Sequence, residues 1–248
     1  MTTVVLQSWH ARRDPAWIAR CMASVEAWTL GHGYAYRFLD DALFDRLPEA
    51  LAPKLMARPA MAADLARLLL AGEVLSEGAE RVVWFDADSF IFAPDRLILP
   101  DAPYAFGREI WIQPGARGRP RIYRNIHNAA CLFDAGNPAL EFLIEAAARI
   151  AARLEGPASP QLLGPKLLTA LHNIVAFPLI ETAGAASPLV LRDLAAGGGP
   201  ALEALRAEPP LPAVLNLCAS LVGRQIDGVA VDEALIESAM TALAEGAL

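Results

Sequence analysis

The chain has 248 residues, 55% of them hydrophobic, and its 28 Asp and Glu against 21 Lys and Arg give a formal net charge of −7. This length suits one large domain with a sizeable core, and the acidic balance excludes a general nucleic-acid binder, which needs a basic face for phosphates. No apolar run reaches the roughly 18 to 20 residues that span a bilayer, so no transmembrane segment is expected.

The opening "MTTVVLQSWHARRDP" lacks a basic leader followed by an apolar segment and a cleavage site, which makes cytoplasmic residence the expectation. Within it "TVVLQSW" is β-rich. Asp14 then predicts an N-cap with Pro15 at the first helical position, and Trp17, Cys21, Val25 and Trp28 recur at helical spacing. Gly31 and Gly33 end this helix, and "YAYRFLD" is a second strand closed by Asp40 and Asp41.

Residues 60–71, "AMAADLARLLLA", predict a helix with Met61, Leu65, Leu68 and Leu69 on its apolar side, interrupted at Gly72 and briefly continued. "RVVWFDADSFIF" (81–92) reads as a central strand, β-branched and aromatic with apolar residues on both faces. "YAFGREIWI" and "NAACLFDA" are further strands, split by the loop "QPGARGRPRIYRNIH". A helix from Pro138 to about Leu154 is capped by Asn137, and another begins near Gly164-Pro165. "AAGGGP" and "AEPPLP" mark 195–212 as irregular around one short helix, and "VDEALIESAMTALA" closes the chain as a helix. Strands alternating with helices predict an α/β sheet covered on both faces, with active groups at the carboxyl ends of its strands.

Cys21, Cys131 and Cys218 have no metal-ligand spacing and apolar neighbours, which predicts buried free thiols. His10, His32, His127 and His172 show no ligand spacing either. The acids of the 81–92 run are different. In a strand, i and i+2 share a face, so Asp86 and Asp88 point the same way. One reading is a turn at the strand end, where Asp bonds nearby amides. The other is a hard cation offsetting the like charges at the lip of a buried strand.

"ADLARLLLAGEVLSEGAERVVWFDAD" places Asp64, Arg67, Asp86 and Asp88 in a pattern that resembles the GT-A glycosyltransferases. The likeness is to their bacterial and fungal group with a DXD sugar-binding region, capsular and mannosyltransferase-like and related to the glucosylating toxins. That group has D-x-x-R on a helix and, some 20 residues on, a strand ending in D-x-D. The resemblance extends through "VVLQSWHARRDPAWIARCMASVEAWTLGHGYAYRFLDD", "NAACLFDAGNPALEFL" and "LLGPKLLTAL", over roughly residues 3–172.

The resemblance implies a GT-A, Rossmann-like fold: a mixed, mostly parallel sheet with helices on both faces. It implies a single domain over 1–248, with its core at about 3–172 and an irregular part at 173–248. The implied activity is metal-dependent transfer of a sugar, a hexose in this group, from a nucleotide-sugar donor to a glycan or other hydroxyl acceptor, with retention of configuration. Mn²⁺ or Mg²⁺ bridges Asp88 to the diphosphate, and Asp86 holds ribose or sugar hydroxyls, with Ala87 between them at the donor. Asp64 accepts from sugar hydroxyls while Arg67 donates; the two are three apart on one helix and would otherwise be a surface ion pair.

Trp9 matches a residue that stacks on the base, or is a core aromatic, and Gln7 stands beside it. Asn128 matches an Asn near the donor sugar, or is a strand-edge residue. Gly164 and Pro165 bring free helix amides toward an acceptor or phosphate, or only start a helix. Arg117, Arg119, Arg121 and Arg124 are either solvated loop residues or face an anionic acceptor. Relatives carry H-x-W near the C-terminus; the counterpart here has Asn216 and Cys218, leaving Asn216 as the third metal position through its carbonyl oxygen. Two rival readings stand beside transfer. One is a GT-A-like protein that binds nucleotide sugar without turnover. The other is a phosphotransferase of the haloacid-dehalogenase type, although such proteins carry D-x-D near the N-terminus followed by Thr or Val, and here Ser89-Phe90 follow in mid-chain.

Overall fold

The first strand, β1 (Thr3–Ser8), carries Val5 and Leu6 on opposite faces and both are fully buried, so its sheet is covered on both sides. The computed structural model describes residues 2–10, 12, 14–116 and 119–248. Helix α1 (Ala16–Gly31) follows, and β2 (Ala35–Leu39) returns parallel to β1. The cap of α1 is Pro15, one position later than expected. Asp14 is engaged elsewhere: its carbonyl accepts from the Trp9 indole at 2.9 Å and its carboxylate lies 3.2 Å from His10.

After a 3₁₀ turn capped by Asp40 come α2 (Ala52–Met56) and α3 (Pro59–Ser76). Helix α3 runs through Gly72 without a break. One interior glycine costs about 1 kcal/mol, which the burial of Leu68, Leu70, Ala71 and Val74 outweighs.

All five residues of β3 (Arg81–Phe85) are buried, and the strand lies parallel to β1 on the side away from β2. The expected strand over 81–92 ends there. Ser89 N–H donates to the Asp86 carbonyl, closing a turn, and β4 (Ser89–Ile91) leaves the main sheet for a second one. Asp86 and Asp88 therefore sit in a turn, and the i, i+2 rule for strands does not place them on one face.

Next come β5 (Tyr104–Pro114) and β6 (Pro120–Asp134), a long antiparallel hairpin whose register shifts between Phe106 and Gly107. "RIYRNIH" belongs to β6, not to the expected loop. Its residues pair with 107–113 of β5, so backbone pairing supplies the order that its polar sequence hides. The main sheet is completed by β7 (Leu179–Ile180) in the order β2-β1-β3-β6-β5-β7, and only β6 is antiparallel to its neighbours. This is the expected mixed, mostly parallel sheet. On one face Leu6, Val82, Trp84, Cys131 and Phe133 pack with α3 and α4 (Pro138–Arg153). On the other, Val5, Val83, Phe85 and Leu132 pack with Val25 and Trp28 of α1.

Asn137 caps α4 as expected, accepting from Leu140 N–H at 3.0 Å, and α5 (Pro165–Val175) begins after Gly164. Residues 173–248, expected to be irregular, hold regular elements: β8 (Ala183–Ala185), α6 (Pro188–Ala195), α7 (Pro200–Arg206), β9 (Val214–Asn216), β10 (Arg224–Ile226), β11 (Val229–Val231) and α8 (Glu233–Ala244). The glycine-rich link between α6 and α7 is tied by Asp193, buried and accepting from Ala201 and Leu202 N–H at 2.7 and 3.2 Å. The second sheet has the order β4-β9-β8, which fastens β4 to the C-terminal part. Cys21, Cys131 and Cys218 are free thiols, the first two buried. No helix among the described residues is long and apolar enough to cross a membrane.

Candidate active site

Strands β1 and β3 run in the same direction, so their carboxyl ends and the turn that follows β3 share one edge of the sheet, where ligands of open α/β sheets gather. Arg67 reaches this edge from α3, buried to 7% exposure. Its Nη1 donates to Asp86 Oδ1 and to the Asn128 carbonyl, both at 2.8 Å, and its Nη2 lies 3.5 Å from Asp64 Oδ1. Asn128 Nδ2 donates to that same Asp64 oxygen at 2.8 Å. Asp64, Arg67, Asp86 and Asn128, read from distant parts of the sequence, thus form one cluster.

Trp84, which the sequence reading did not assign to the site, shapes it further. Its Nε1–H donates to Asp86 Oδ1 at 2.7 Å, and the Arg67 guanidinium lies 5.1 Å from its ring centroid. Trp84 packs on the α3 side of β3, two residues before the turn that holds Asp86. Asp86 remains 26% exposed, and its second oxygen accepts no hydrogen bond from the described residues. It is the open lip of an otherwise buried cluster.

Gly164 closes the cluster from α5. A Cβ there would lie 2.7 Å from Asp64 Oδ2 and 2.8 Å from Asn128 Nδ2, so only glycine lets this backbone come so close. The amides of α5 are less available than expected: Lys166 N–H donates to the Gln161 carbonyl and Leu168 N–H to that of Gly164. Pro165 provides the helix start.

Gln7 is fully buried and both ends of its amide are used. It donates to the Asp86 carbonyl at 3.2 Å and accepts from Tyr36 at 2.9 Å, which fixes the turn from beneath. Trp9 is half-buried, packs on a core cluster that holds Trp17 and Ile18 of α1, Leu191 of α6 and Met240 of α8, and stacks obliquely on His10 at 5.2 Å. Ala87 is buried in that same cluster.

Burial decides the electrostatics. Desolvation raises Asp64 from the ordinary carboxylate value to about 6, opposed by Arg67 and by the Asn128 hydrogen bond and assisted by Asp86. Asp88 is likewise raised to about 6, by desolvation first and the charge of Asp86 second. His127, also unassigned from sequence, is buried beside the cluster with its Nε2 3.1 Å from the Ala183 carbonyl. Because its Nδ1 accepts from Ala129 N–H, Nε2 carries the proton, and burial holds the ring neutral by lowering its pKa. Gly107 makes room for the ring; a Cβ there would lie 2.2 Å from Nε2.

Asp88 is enclosed by the chain itself. Asn216 Nδ2 donates to its Oδ1 at 2.6 Å and Ala219 N–H to its Oδ2 at 2.7 Å. The carbonyl oxygen of Asn216, expected to ligate a metal, accepts from Cys218 N–H at 2.9 Å. A divalent cation of the Mg²⁺ or Mn²⁺ kind seeks about six oxygen ligands. Of Asp86, Asp88 and Asn216, only Asp86 keeps a carboxylate oxygen without a hydrogen bond, and among the described residues no group of three His, Cys, Asp or Glu is placed to hold a metal. The geometry does not fit a preformed metal cage, and the carbonyl oxygen of Asn216 is engaged within the chain.

The expected arginine loop divides. Arg117 lies outside the described residues, and Arg119 is exposed. Arg121 and Arg124 stand on β6, the former 4.7 Å over Tyr123 and the latter paired with Glu208 at 2.5 Å. None of these three bonds to the Asp64 cluster.

No protein-family model and no curated protein matches the sequence. Among solved structures, the chain is similar to a glycosyltransferase involved in glycosylation of the major capsid of PBCV-1, at 11% identity over 87% of this chain and 93% of that one, with a TM-score of 0.44. Mouse xyloside xylosyltransferase 1 is 12% identical over 88% and 98% of the respective chains, TM-score 0.45. The glycosyltransferase GlyE of Streptococcus pneumoniae is 11% identical over 98% of this chain and 62% of that one, TM-score 0.43. With TM-scores this low, what those proteins act on is not carried over to this chain.

Proposed function

We propose that the Asp64, Arg67, Asp86 and Asn128 cluster binds the sugar of a nucleotide-sugar donor and that the protein transfers this sugar to a hydroxyl acceptor. The observation that supports the reading is Arg67 itself, a buried guanidinium shared among two carboxylates and a carbonyl, with Asp86 open at the rim. Paired acceptors and donors held rigidly at a sheet edge suit the vicinal hydroxyls of a sugar, each of which donates and accepts. The cluster can position such a ring. Asp64, raised by burial to about 6, changes charge near neutral pH.

The second reading is binding without turnover. It is favoured by Asp88, whose carboxylate is already held by Asn216 and Ala219. A panel of nucleotide sugars, titrated calorimetrically with Mg²⁺, with Mn²⁺ and with chelator, tests the common core of both. At least one donor should bind wild type and fail to bind Asp64→Asn and Arg67→Met; if none binds under any of the three conditions, both readings fall. Release of free sugar or nucleotide over hours separates turnover from binding.

A further inference from the structure

Between the β5–β6 hairpin and α5 lies an open cleft of about 570 Å³, within the usual range of roughly 300–1,000 Å³ for small-molecule sites. Arg108, Arg124, Asn125, His172, Glu181 and Pro210 line it. It shares two elements with the Asp64 cluster. Asn125 precedes Asn128 by three residues on β6, about 10 Å along a strand, and His172 follows Gly164 by eight residues, about 12 Å along a helix.

The charges of the cleft are balanced. Arg124 is joined to Glu208 by two bonds, at 2.9 and 2.5 Å, and Arg108 stands between Glu181 at 3.5 Å and Glu208 at 3.8 Å. Two guanidinium groups meet two carboxylates, so an anion gains no net attraction and encounters Glu181, whose side chain is 51% exposed. Arg108 Nη1 donates to the Glu208 and Pro210 carbonyls, both at 3.3 Å, but the Arg108 Nε–Glu181 separation exceeds a hydrogen bond, which leaves this pair able to take a hydroxyl that donates to the acid and accepts from the guanidinium. His172 borders the cleft from α5. Pro210, with Pro209 and Leu179, supplies apolar surface for the C–H face of a sugar ring.

We propose that this cleft is the acceptor subsite and that its ligand is an uncharged oligosaccharide. The class follows from charge balance and from the mixture of donors and acceptors, and the length follows from the distance: an acceptor seated here must extend about 10 Å for its terminal hydroxyl to meet the cluster. The acceptor role rests on the donor reading above; the binding of uncharged oligosaccharide does not.

The test uses the full chain, without donor, in ¹H–¹⁵N correlation spectra. Maltohexaose, cellohexaose and mannohexaose are titrated in turn, beside oligogalacturonate as the anionic counterpart. At least one neutral hexasaccharide should shift the Asn125 side-chain amide and the backbone signals of 124–126 and 172–181. Glu181→Gln, and separately Arg124→Ala with Glu181→Ala, should weaken it about tenfold or more, roughly 1.4 kcal/mol, with an unchanged unfolding midpoint and unchanged donor affinity. The proposal is overturned if none of the three neutral hexasaccharides shifts these signals, if oligogalacturonate binds more tightly, or if both variants bind as wild type. Failure of every nucleotide sugar with cleft binding intact would overturn the donor reading and the acceptor role together and leave a carbohydrate-binding cleft.

Discussion

Asn216 holds Asp88 at 2.6 Å with its side-chain N–H while its own carbonyl oxygen is held by Cys218 N–H at 2.9 Å. A backbone N–H can only donate, so the orientation of the Asn216 amide is settled by its neighbours. The pair joins the turn after β3 to the segment after β9, where Cys218 takes a left-handed conformation at φ 55° and Leu217 N–H donates to the Asp88 carbonyl. Asp88 and Asn216 thus form a bracket between the main sheet and the C-terminal part.

Asn216→Ala should therefore lower stability by about 1–3 kcal/mol, the cost of leaving a buried acceptor short of a donor. Urea unfolding measures it. The same change frees an oxygen of Asp88, so Mn²⁺ without nucleotide should raise the melting midpoint of the variant and leave that of wild type unchanged. An equal rise in wild type would mean that the cation displaces the bracket.

The bracket also shows what the sequence concealed. Asp64 and Arg67 were legible because i, i+3 on a helix is a local relation, and the strands around Val82 and Leu132 were legible from β-branched and aromatic runs. Asp86 and Asp88 were misplaced relative to each other because "SFIF" continues the apolar run although β4 pairs in a different sheet. That pairing joins Ser89 to Asn216, 127 residues away in sequence, and no local pattern reports it. Arg121 and Arg124 were read as loop residues because charged and polar residues surround Ile122 and Ile126 in this part of β6, whose order comes from pairing with β5.

Arg67→Lys tests whether the fork matters or only the charge. A lysine ammonium cannot donate in plane to Asp86 and Asn128 while facing Asp64. The variant should fold, lose part of the 3–5 kcal/mol that removal of one partner from a buried ion pair costs on the order of, and bind the donor at least about tenfold more weakly, roughly 1.4 kcal/mol. Arg67→Met, which leaves Asp64 and Asp86 unpaired, should lose more of both. Equal donor affinity in Arg67→Lys and wild type would remove the guanidinium from the site.

Asp64 makes stability fall as pH rises. Its carboxyl goes from 3.8 in the unfolded chain to about 6 in the fold, so between these values the native state holds a proton that the unfolded state has lost. The favourable contribution is fully present below 3.8 and is lost as pH rises through about 6. At roughly 1.4 kcal/mol per pKa unit this amounts to about 3 kcal/mol. Unfolding free energies of wild type relative to Asp64→Asn, measured from pH 3.5 to 7, should decline across that window and level off above it; a flat difference would contradict the assignment to Asp64.

Gly164→Ala carries the test from stability to the geometry of the cluster. The added methyl group would lie 2.7 Å from Asp64 Oδ2 and 2.8 Å from Asn128 Nδ2, closer than carbon approaches either atom, and both side chains are fixed by Arg67 or by each other. Either the start of α5 moves away or the Asn128–Asp64 hydrogen bond breaks. Overpacking of this kind costs about 1–3 kcal/mol, so the variant should unfold at lower urea and lose donor affinity, while the cleft, which α5 meets through His172 two turns further along, keeps its neutral oligosaccharide. Serine at the same position repeats the clash with a hydroxyl and should behave like alanine. If Gly164→Ala binds donor as wild type does while its stability falls, Gly164 packs the helix without shaping the site, and the sugar lies on the Asp86 side of Arg67 alone.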